Sequence, residues 1–329
     1  MTPSSTVILS GMRPTGKLHL GNYWGALSPW LDLQKDPAKK CFFMVADLHA
    51  LTTGYEETAG IKGNIDDMVL DWLAAGLDPS KSVLFVQSKV PEHAELALLL
   101  SMITPLGWLE RIPTYKDQLR ELAGREIATH GFLGYPVLQS ADILIYKATA
   151  VPVGEDQLSH LELCQEIGRR FNRLFGPVFP EPKAILGRTP KVPGLDGRKM
   201  SKSYGNAVEL SDTPDILWSK IQKMYTDPKK LRANDPGHPD GCVVFALHKI
   251  YNPTVEERAA ECRDGRIGCV ACKKHLLSLM EPLKEIQERR AVLAQKPGWV
   301  REILEEGTRA ARRVARATLD EAKAAMGLP

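Results

Sequence analysis

Apolar and polar positions follow two regimes along this chain. The first half sets short continuous apolar runs between helical stripes. Val7-Ile8-Leu9-Ser10 ends at Gly11 and Pro14 and predicts a short buried strand. A helix is predicted to start near Leu20 and run through Trp24, Leu27, Trp30 and Leu31. Cys41 to Ala46 and Val83 to Val86 read as two further strands. Between them, Ile65, Met68, Val69, Trp72 and Leu73 recur at helical spacing within Ile61 to Ala75. Strand, helix and strand in alternation predict an α/β fold with a parallel sheet covered by helices. Asp156 to Phe175 reads as an amphipathic helix with Leu158, Leu161, Cys164, Ile167, Phe171 and Leu174 on one stripe. Glu181 to Lys202, rich in Pro, Gly and basic residues, reads as a loop. Beyond Ser211 strand signals fade, and Arg301 to Met326 predicts a long helix. The change of regime places a boundary near residue 205, with one unit over 1–205 and a second over 206–329.

Composition adds little to this pattern. The chain has 329 residues, 43% hydrophobic and 25% charged, as in a soluble globular protein of about two domains. No unbroken apolar stretch is long enough to cross a bilayer. The N-terminus lacks a basic region followed by an apolar core, so a cytosolic address is expected. A net charge of +3 does not by itself argue for nucleic acid.

Cysteine usage says more. Cys41 and Cys164 fall on apolar patterns and read as core. Cys242, Cys262, Cys269 and Cys272 lie within 31 residues as C-x19-C-x6-C-x2-C. In a cytosolic chain such clustering favours metal over disulfides. Four thiolates suit zinc or an iron–sulfur cluster, and four reduced cysteines without metal remain the plainer alternative.

Two motifs carry the chemistry. Pro14-Thr15-Gly16-Lys17-Leu18-His19-Leu20-Gly21-Asn22 follows the first strand and opens a helix, which aims backbone N–H groups and the positive helix end at the strand's carboxyl edge. Gly21 has no side chain to keep a flat ring from the backbone. His19 is placed to donate to phosphate oxygens as charge redistributes. Taken alone, the motif fits equally a helix start with a satisfied surface histidine. About 180 residues later comes Lys199-Met200-Ser201-Lys202-Ser203, in a loop between Gly197 and Gly205. Two ammonium groups on such a loop can close on a triphosphate and stabilise departing pyrophosphate. A solvated basic loop is the alternative.

In this order the two motifs resemble the signatures of class I aminoacyl-tRNA synthetases. The resemblance sharpens to bacterial tryptophanyl-tRNA synthetases through S-G-M-R-P-T-G at 10–16, V-A-D-L-H-A-L-T at 45–52, G-Y-P-V-L-Q-S-A-D-I-L at 134–144, V-P-V-G-E-D-Q at 151–157 and K-M-S-K-S at 199–203. It implies a Rossmann-type parallel sheet followed by a smaller all-helical domain that binds the tRNA anticodon, with a dimer-forming insertion near 95–135. It also implies a tryptophan–tRNA ligase using ATP with Mg²⁺, with L-tryptophan and tRNA(Trp) as substrates, acting as a homodimer without a membrane. His19, Lys199 and Lys202 would be catalytic. Arg13, Thr15, Gly21, Asn22, Gly154, Asp156, Met200 and Ser201 would surround ATP, with Arg13 standing where some relatives carry Gln. Asp142 would accept the indole N–H, His49 would lie beside the indole, and Tyr135, Gln139 and Gln157 would surround the ammonium group. The cysteine run resembles that of the subgroup carrying a [4Fe–4S] cluster, with zinc as the alternative. Lys273, Lys274 and His275, and Arg309, Arg312, Arg313 and Arg316 on the last helix, are candidate phosphate contacts. A tyrosyl-tRNA synthetase-like ligase and a non-catalytic RNA-binding paralogue are the competing readings.

Overall fold

The computed structural model describes residues 6–113, 115–116, 128–187 and 192–329. Five strands form one sheet: β1 (Thr6–Met12), β2 (Lys39–Val45), β3 (Ser82–Val86), β4 (Ala150–Val153) and β5 (Lys183–Leu186). Their order is β3-β2-β1-β4-β5, and every pair is parallel. The register sets Ile8 against Cys41 and Cys41 against Ser82. β1 and β2 are internal strands, and β3, at one edge, is covered by the last helix, so all three are buried and read as continuous apolar runs in the sequence. The order reverses between β1 and β4, so a crevice opens beyond their carboxyl ends. Both phosphate-binding candidates lie at this edge.

The expected α/β sheet and the helical C-terminal region are both present, with three local differences. The stretch after Leu20 is helical to Leu33, but Tyr23–Leu27 is wound as a π-helix. The Leu158–Phe175 helix buries Leu161, Cys164, Ile167 and Phe171 but leaves Leu174 50% exposed. In its last turn Phe175 takes the inward place, with its ring 5.0 Å from Phe171, which also meets Phe179 at 4.8 Å. The loop predicted over Glu181 to Lys202 contains β5, an edge strand whose residues are largely exposed and so left no apolar run. Residues 188–191 of that loop lie outside the described residues, as do 114 and 117–127 of the region expected to form a dimer insertion.

Beyond the sheet come helices Pro214–Lys223, Val243–Tyr251, Val255–Arg263, Cys269–Leu279, Glu281–Leu293 and Trp299–Ala325. The apolar core falls into two clusters. One joins Ile8, Phe43 and Trp72 to Leu217, Leu247, Leu276 and Leu283 of the helical region. The other joins Phe42, Phe85 and Leu144 to Ala311, Ala315 and Leu319 of the last helix. That helix therefore runs back along the sheet. Its small residues let it sit directly on β3, and a side chain at Gly307 would meet the Leu84 carbonyl oxygen at 1.8 Å. No described helix is long and apolar enough to cross a membrane.

Gly307→Ala is expected to force this helix off β3 and lower stability by about 1–3 kcal/mol, the usual cost of overpacking. Gly63→Ala, in the Ile61–Ala75 helix with open space around it, should instead gain roughly 0.5–1 kcal/mol. Denaturant midpoints of the two variants should move in opposite directions.

Candidate active site and cysteine centre

The two motifs meet. Leu20 N–H donates to Val208 O (2.9 Å), Leu210 N–H donates to Leu18 O (2.9 Å), and His19 bridges Glu209 in antiparallel fashion. Lys17 Nζ lies 3.5 Å from Glu209 Oε2. These links bring the second loop against the first. Lys202 Nζ lies 3.5 Å from where a side chain on Gly16 would begin, and Met200 Cβ comes within 4.0 Å of the corresponding point on Gly21. Gly16 has φ 110, a left-handed backbone that favours glycine. Gly21 serves a purpose besides clearance for a ring: a Cβ there would strike the His19 imidazole at 2.9 Å.

His19 caps the short helix Leu20–Asn22. Asn22 N–H donates to His19 Nδ1 (3.3 Å), and His19 N–H donates to Asn22 Oδ1 (3.1 Å). With Nδ1 accepting, the proton of the neutral ring sits on Nε2, where it can donate to a phosphate. Burial, with the Lys202 charge adding to it, pushes this imidazole down to about 4. The ring is therefore neutral at physiological pH and acts as a hydrogen-bond donor.

The lysine loop hangs on Asn206, a buried side chain that the sequence reading missed. Asn206 Nδ2 donates to Asp196 Oδ1 (2.8 Å) and to Lys199 O (3.2 Å), and its Oδ1 accepts from Ser201 N–H (2.9 Å). Gly194 leaves room for it, since a Cβ there would fall 2.2 Å from Asn206 Nδ2. Lys202 points toward the first motif, and burial lowers its pKa. Lys199 is exposed.

Asp142 is fully buried on the helix His130–Leu144. His49 Nε2 lies 2.7 Å from its Oδ2 and His93 Nδ1 2.6 Å from its Oδ1. Gln87 Nε2 donates to both oxygens, at 2.8 and 2.9 Å. His93 Nε2 continues to Tyr146 Oη at 2.8 Å. Burial alone would raise the Asp142 pKa, but the hydrogen bonds from His49 and His93 outweigh it and hold the carboxyl well below the usual carboxylate range. Gln87, His93 and Tyr146 were not singled out in the sequence. Gln87 directly follows β3 and His93 lies in the first turn of the helix Glu92–Ser101, and each showed in the sequence only as a polar residue at the edge of an apolar run.

Tyr135 Oη lies 2.5 Å from His160 Nε2, and its ring centroid lies 6.5 Å from that of His49. Burial pushes His160 down to about 4. Arg13 reaches Thr53 Oγ1 with Nη1 (3.5 Å) and lies close enough to Tyr135 for the phenol to bear on its titration. Gly154 follows β4, and Asp156 Oδ1 occupies space 2.7 Å from where its Cβ would be. Gln157 Nε2 donates to Asp156 Oδ2 (2.9 Å). Thr15 is exposed and Gln139 half-buried. A groove of about 750 Å³ opens between helices Asp47–Gly54, Glu92–Ser101 and His130–Leu144. Of the predicted site residues, only Tyr135 lines it.

Cys242, Cys262, Cys269 and Cys272 line one cavity together with Asp227, Lys230, His238 and Arg258. Cys242 precedes the helix Val243–Tyr251, and the N–H groups of Asp227, Val244 and Phe245 face its sulfur. Burial pushes the Cys272 thiol up to about 12 and raises Cys242 and Cys262. Cationic Lys230, Lys273 and Arg258 stand close enough to act on these sulfurs. Buried His248 lies 3.3 Å from Cys272 Sγ, a neighbour the sequence did not single out. Gly237 leaves space that a Cβ would fill, 2.6 Å from Cys262 Sγ. Among the described residues, no three His, Cys, Asp or Glu groups converge on a single ion position.

The candidate phosphate contacts are partly committed elsewhere. Lys273 Nζ donates to Gln222 O (2.7 Å) and Met224 O (2.9 Å), closing the end of helix Pro214–Lys223. His275 Nδ1 meets Arg258 at 2.7 Å. Arg312 Nε binds buried Glu92 (2.9 Å), and Arg316 pairs with Asp320.

Comparison with known proteins adds an independent line. The family model described as "tRNA synthetases class I (W and Y)" matches residues 2–283. The chain is 52% identical over 325 residues to a tryptophan–tRNA ligase of Thermotoga maritima, covering 98% of this chain and 99% of that one. It is 46% identical over 395 residues to a tryptophan–tRNA ligase of Aquifex aeolicus, covering 98% and 100%. A solved tryptophanyl-tRNA synthetase from Campylobacter jejuni, complexed with ADP and tryptophan, superposes with a TM-score of 0.87 at 34% identity over 98% of this chain and 100% of that one.

Selective ¹⁵N labelling of histidine, with His19→Asn for assignment, is expected to show a neutral Nε2–H ring that titrates near 4. A folded pKa below the unfolded value of 6.5 means that His19 is neutral above this range and opposes folding as pH falls from 6.5 toward 4. A resonance titrating near 6.5, or an Nδ1–H tautomer at neutral pH, would refute the assigned role.

Proposed function

The chain belongs to the class I tRNA synthetases for tryptophan and tyrosine, with tryptophan–tRNA ligase as its activity, and from that premise we propose how its residues divide the work. Tryptophan carboxylate attacks the α-phosphorus of ATP and pyrophosphate leaves; a terminal ribose hydroxyl of tRNA then attacks the activated carboxyl carbon, and AMP leaves. The observation that carries the assignment is the meeting of the two motifs, with Lys202 against Gly16 and His19 capped beside them.

His19 Nε2–H donates to the phosphates as charge moves onto the leaving group. Lys202 neutralises the β- and γ-phosphates, and exposed Lys199 closes over them when the loop moves. Thr15, Asn22, Met200 and Ser201 line this end of the nucleotide. Arg13 reaches it from beside Tyr135. Gly21 admits the adenine, and Gly154 and Asp156 hold the ribose. Mg²⁺ accompanies the triphosphate.

Asp142 is the indole acceptor. An ionised carboxylate offers about four lone-pair sites, and His49, His93 and two contacts from Gln87 already fill them. The indole N–H therefore takes over one of these bonds. His49 is the donor that yields, because its side chain is 11% exposed whereas His93 and Asp142 are fully buried. Phenylalanine carries no donor to make this exchange, and tyrosine carries its donor on a different edge. Tyr135, Gln139 and Gln157 receive the ammonium group.

The four cysteines suit a [4Fe–4S] cluster. They line one cavity, backbone N–H groups face Cys242, and Lys230, Lys273 and Arg258 offset thiolate charge. Four thiolates suit a zinc ion as well, each sulfur about 2.3 Å from the metal. Cys242, Cys262, Cys269 and Cys272 would hold the cluster, which would tie the start of the Val243–Tyr251 helix to the Cys269–Leu279 helix. The helical region after residue 205 carries the tRNA. Exposed Leu98, Met102 and Leu106, beside the groove that Tyr135 lines, form the homodimer face. The enzyme works in the cytosol.

Lys202→Ala is expected to slow adenylate formation by about 3 kcal/mol of barrier, the usual loss of one transition-state contact, with tryptophan affinity nearly unchanged. Single-turnover tryptophan-dependent activation measures this, and an unchanged rate would leave the loop without its role. Protein purified without oxygen should be brown with about four iron atoms per chain. Cys269→Ser should bleach it and impair tRNA charging more than pyrophosphate exchange. Colourless anaerobic protein with one zinc per chain would replace the cluster by an ion.

A further inference from the structure

Asp142 divides its two oxygens between different partners. Oδ1 meets His93 Nδ1 at 2.6 Å, Oδ2 meets His49 Nε2 at 2.7 Å, and Gln87 Nε2 reaches both. The His49 side chain is 11% exposed, whereas that of His93 is fully buried. His93 is held in turn from behind. Its Nε2 lies 2.8 Å from Oη of buried Tyr146. The phenol ring stacks on Phe42 of β2 at 4.6 Å and tilts against Phe85 of β3 at 5.4 Å. Tyr146 follows the helix that carries Asp142, and His93 comes from the helix Glu92–Ser101. A line of contacts thus runs from the sheet through two buried rings to one oxygen of one carboxylate.

The bond directions follow from the chemistry of the groups. A carboxylate only accepts, so His93 Nδ1 carries the proton that faces Asp142. Nε2 of the neutral ring is then an acceptor, and the Tyr146 hydroxyl donates to it. Burial, with Asp142 and Glu92 adding to it, pushes the phenol well above its usual range, so it keeps that proton. Packing alone does not call for this hydroxyl. Phenylalanine would fill the same place against Phe42 and Phe85, and a buried hydroxyl is costly unless it is bonded. The hydroxyl gains its use by setting which His93 nitrogen donates. Gln87, which reaches both oxygens, does not distinguish them.

We propose that His93 and Tyr146 are positioning residues for tryptophan selection: Tyr146 fixes the proton of His93 on Nδ1, and His93 commits Asp142 Oδ1 to the protein, so that Oδ2 alone is open to a donor on the substrate. Neither touches substrate. With one oxygen open, a donor must arrive from the His49 side, which sets the ring edge that is read. The inference rests on Asp142 being the indole acceptor.

The test compares tryptophan with benzothienylalanine, in which sulfur replaces the indole N–H and no donor is left. The readout is the ratio of their kcat/KM values in amino-acid-dependent pyrophosphate exchange. Tyr146→Phe keeps the ring and removes the hydroxyl, and should lower kcat/KM for tryptophan by about tenfold. The analogue kcat/KM and the ATP KM should stay within about twofold, so the ratio falls with tryptophan alone. His93→Leu strips Oδ1 of its donor and should lower the ratio by roughly 100-fold. His93→Asn offers an N–H near the Nδ1 position but no acceptor for Tyr146, and should recover to the level of Tyr146→Phe. An unchanged ratio in folded Tyr146→Phe overturns the proposal. So does His93→Asn as impaired as folded His93→Leu, or parallel loss for tryptophan, analogue and ATP that tracks the melting temperature. If His93→Leu does not fold, Tyr146→Phe combined with His93→Asn decides. Two members of one relay should be no worse together than either alone, and additive losses overturn the proposal. Asp142→Ala separates this inference from the reading beneath it. If that variant keeps the ratio, the acceptor reading fails and the proposal with it. If it abolishes the ratio while Tyr146→Phe leaves it intact, only the proposal fails.

Discussion

The site depends on a short backbone clip. Residues 18–20 and 208–210 exchange two N–H to carbonyl bonds, each 2.9 Å, across about 190 residues of chain. Neither strand of the clip is long enough to be stable alone. Each is supported from its own side. The first leaves β1 and enters a helix capped by His19, and the second follows the Asn206-clamped loop. The clip converts a lysine on a surface loop into a lysine at the carboxyl edge of the sheet. Because the bonds are backbone ones, side-chain changes in the clip alter its packing but not its register. The far end of the loop is thereby fixed against the first motif, and Asn206 holds the rest of it from within.

The same economy governs Asp142, proposed above as the indole acceptor. A buried carboxylate without partners would neutralise itself by taking up a proton, and a neutral acid would be a poorer acceptor for an N–H. Asp142 avoids this through two histidines and a glutamine, and the second histidine is itself fixed by Tyr146. The network keeps the charge in place before substrate arrives. On the reading proposed above, recognition would be an exchange of bonds: one protein donor would yield to one substrate donor, so the net gain would be small for the correct ligand. A ligand without a donor would either leave the pocket closed by His49 or strand an acceptor, and the cost of an unpaired buried group exceeds the gain from a paired one. Specificity would then come mainly from what the wrong ligand loses.

Much of this was legible in the sequence for a definite reason. β1, β2 and β3 are buried and so were written as apolar runs, and the Ile61–Ala75 helix matched its stripe. β5 was hidden because an edge strand with exposed residues needs no apolar code, and β4 because Pro152 interrupts it. Around the candidate site, residues written into fixed local motifs were visible, including His19, Lys202 and the cysteines. Gln87, His93 and Asn206 were not. Each is a polar residue buried by partners distant in the chain, and a single polar letter beside an apolar stretch carries no sign of what it will meet. Lys273 and Arg312 failed in the opposite direction. Their charge suggested RNA, yet their ends are taken by helix-terminal carbonyls and by Glu92.

The helical region connects these parts physically. The Val243–Tyr251 helix begins one residue after Cys242, which it holds with its first N–H groups, and ends at Tyr251, which accepts from Trp24. His248 on the same helix lies against Cys272, and Asn252 just beyond the helix end bonds His248 in turn. A helix of nine residues spans about 13 Å at 1.5 Å per residue. A rigid rod of that length therefore has the cysteine cavity at one end and the turn after His19 at the other. The cysteines are remote from the first motif in sequence, yet one nine-residue helix joins their cavity to the turn that follows His19.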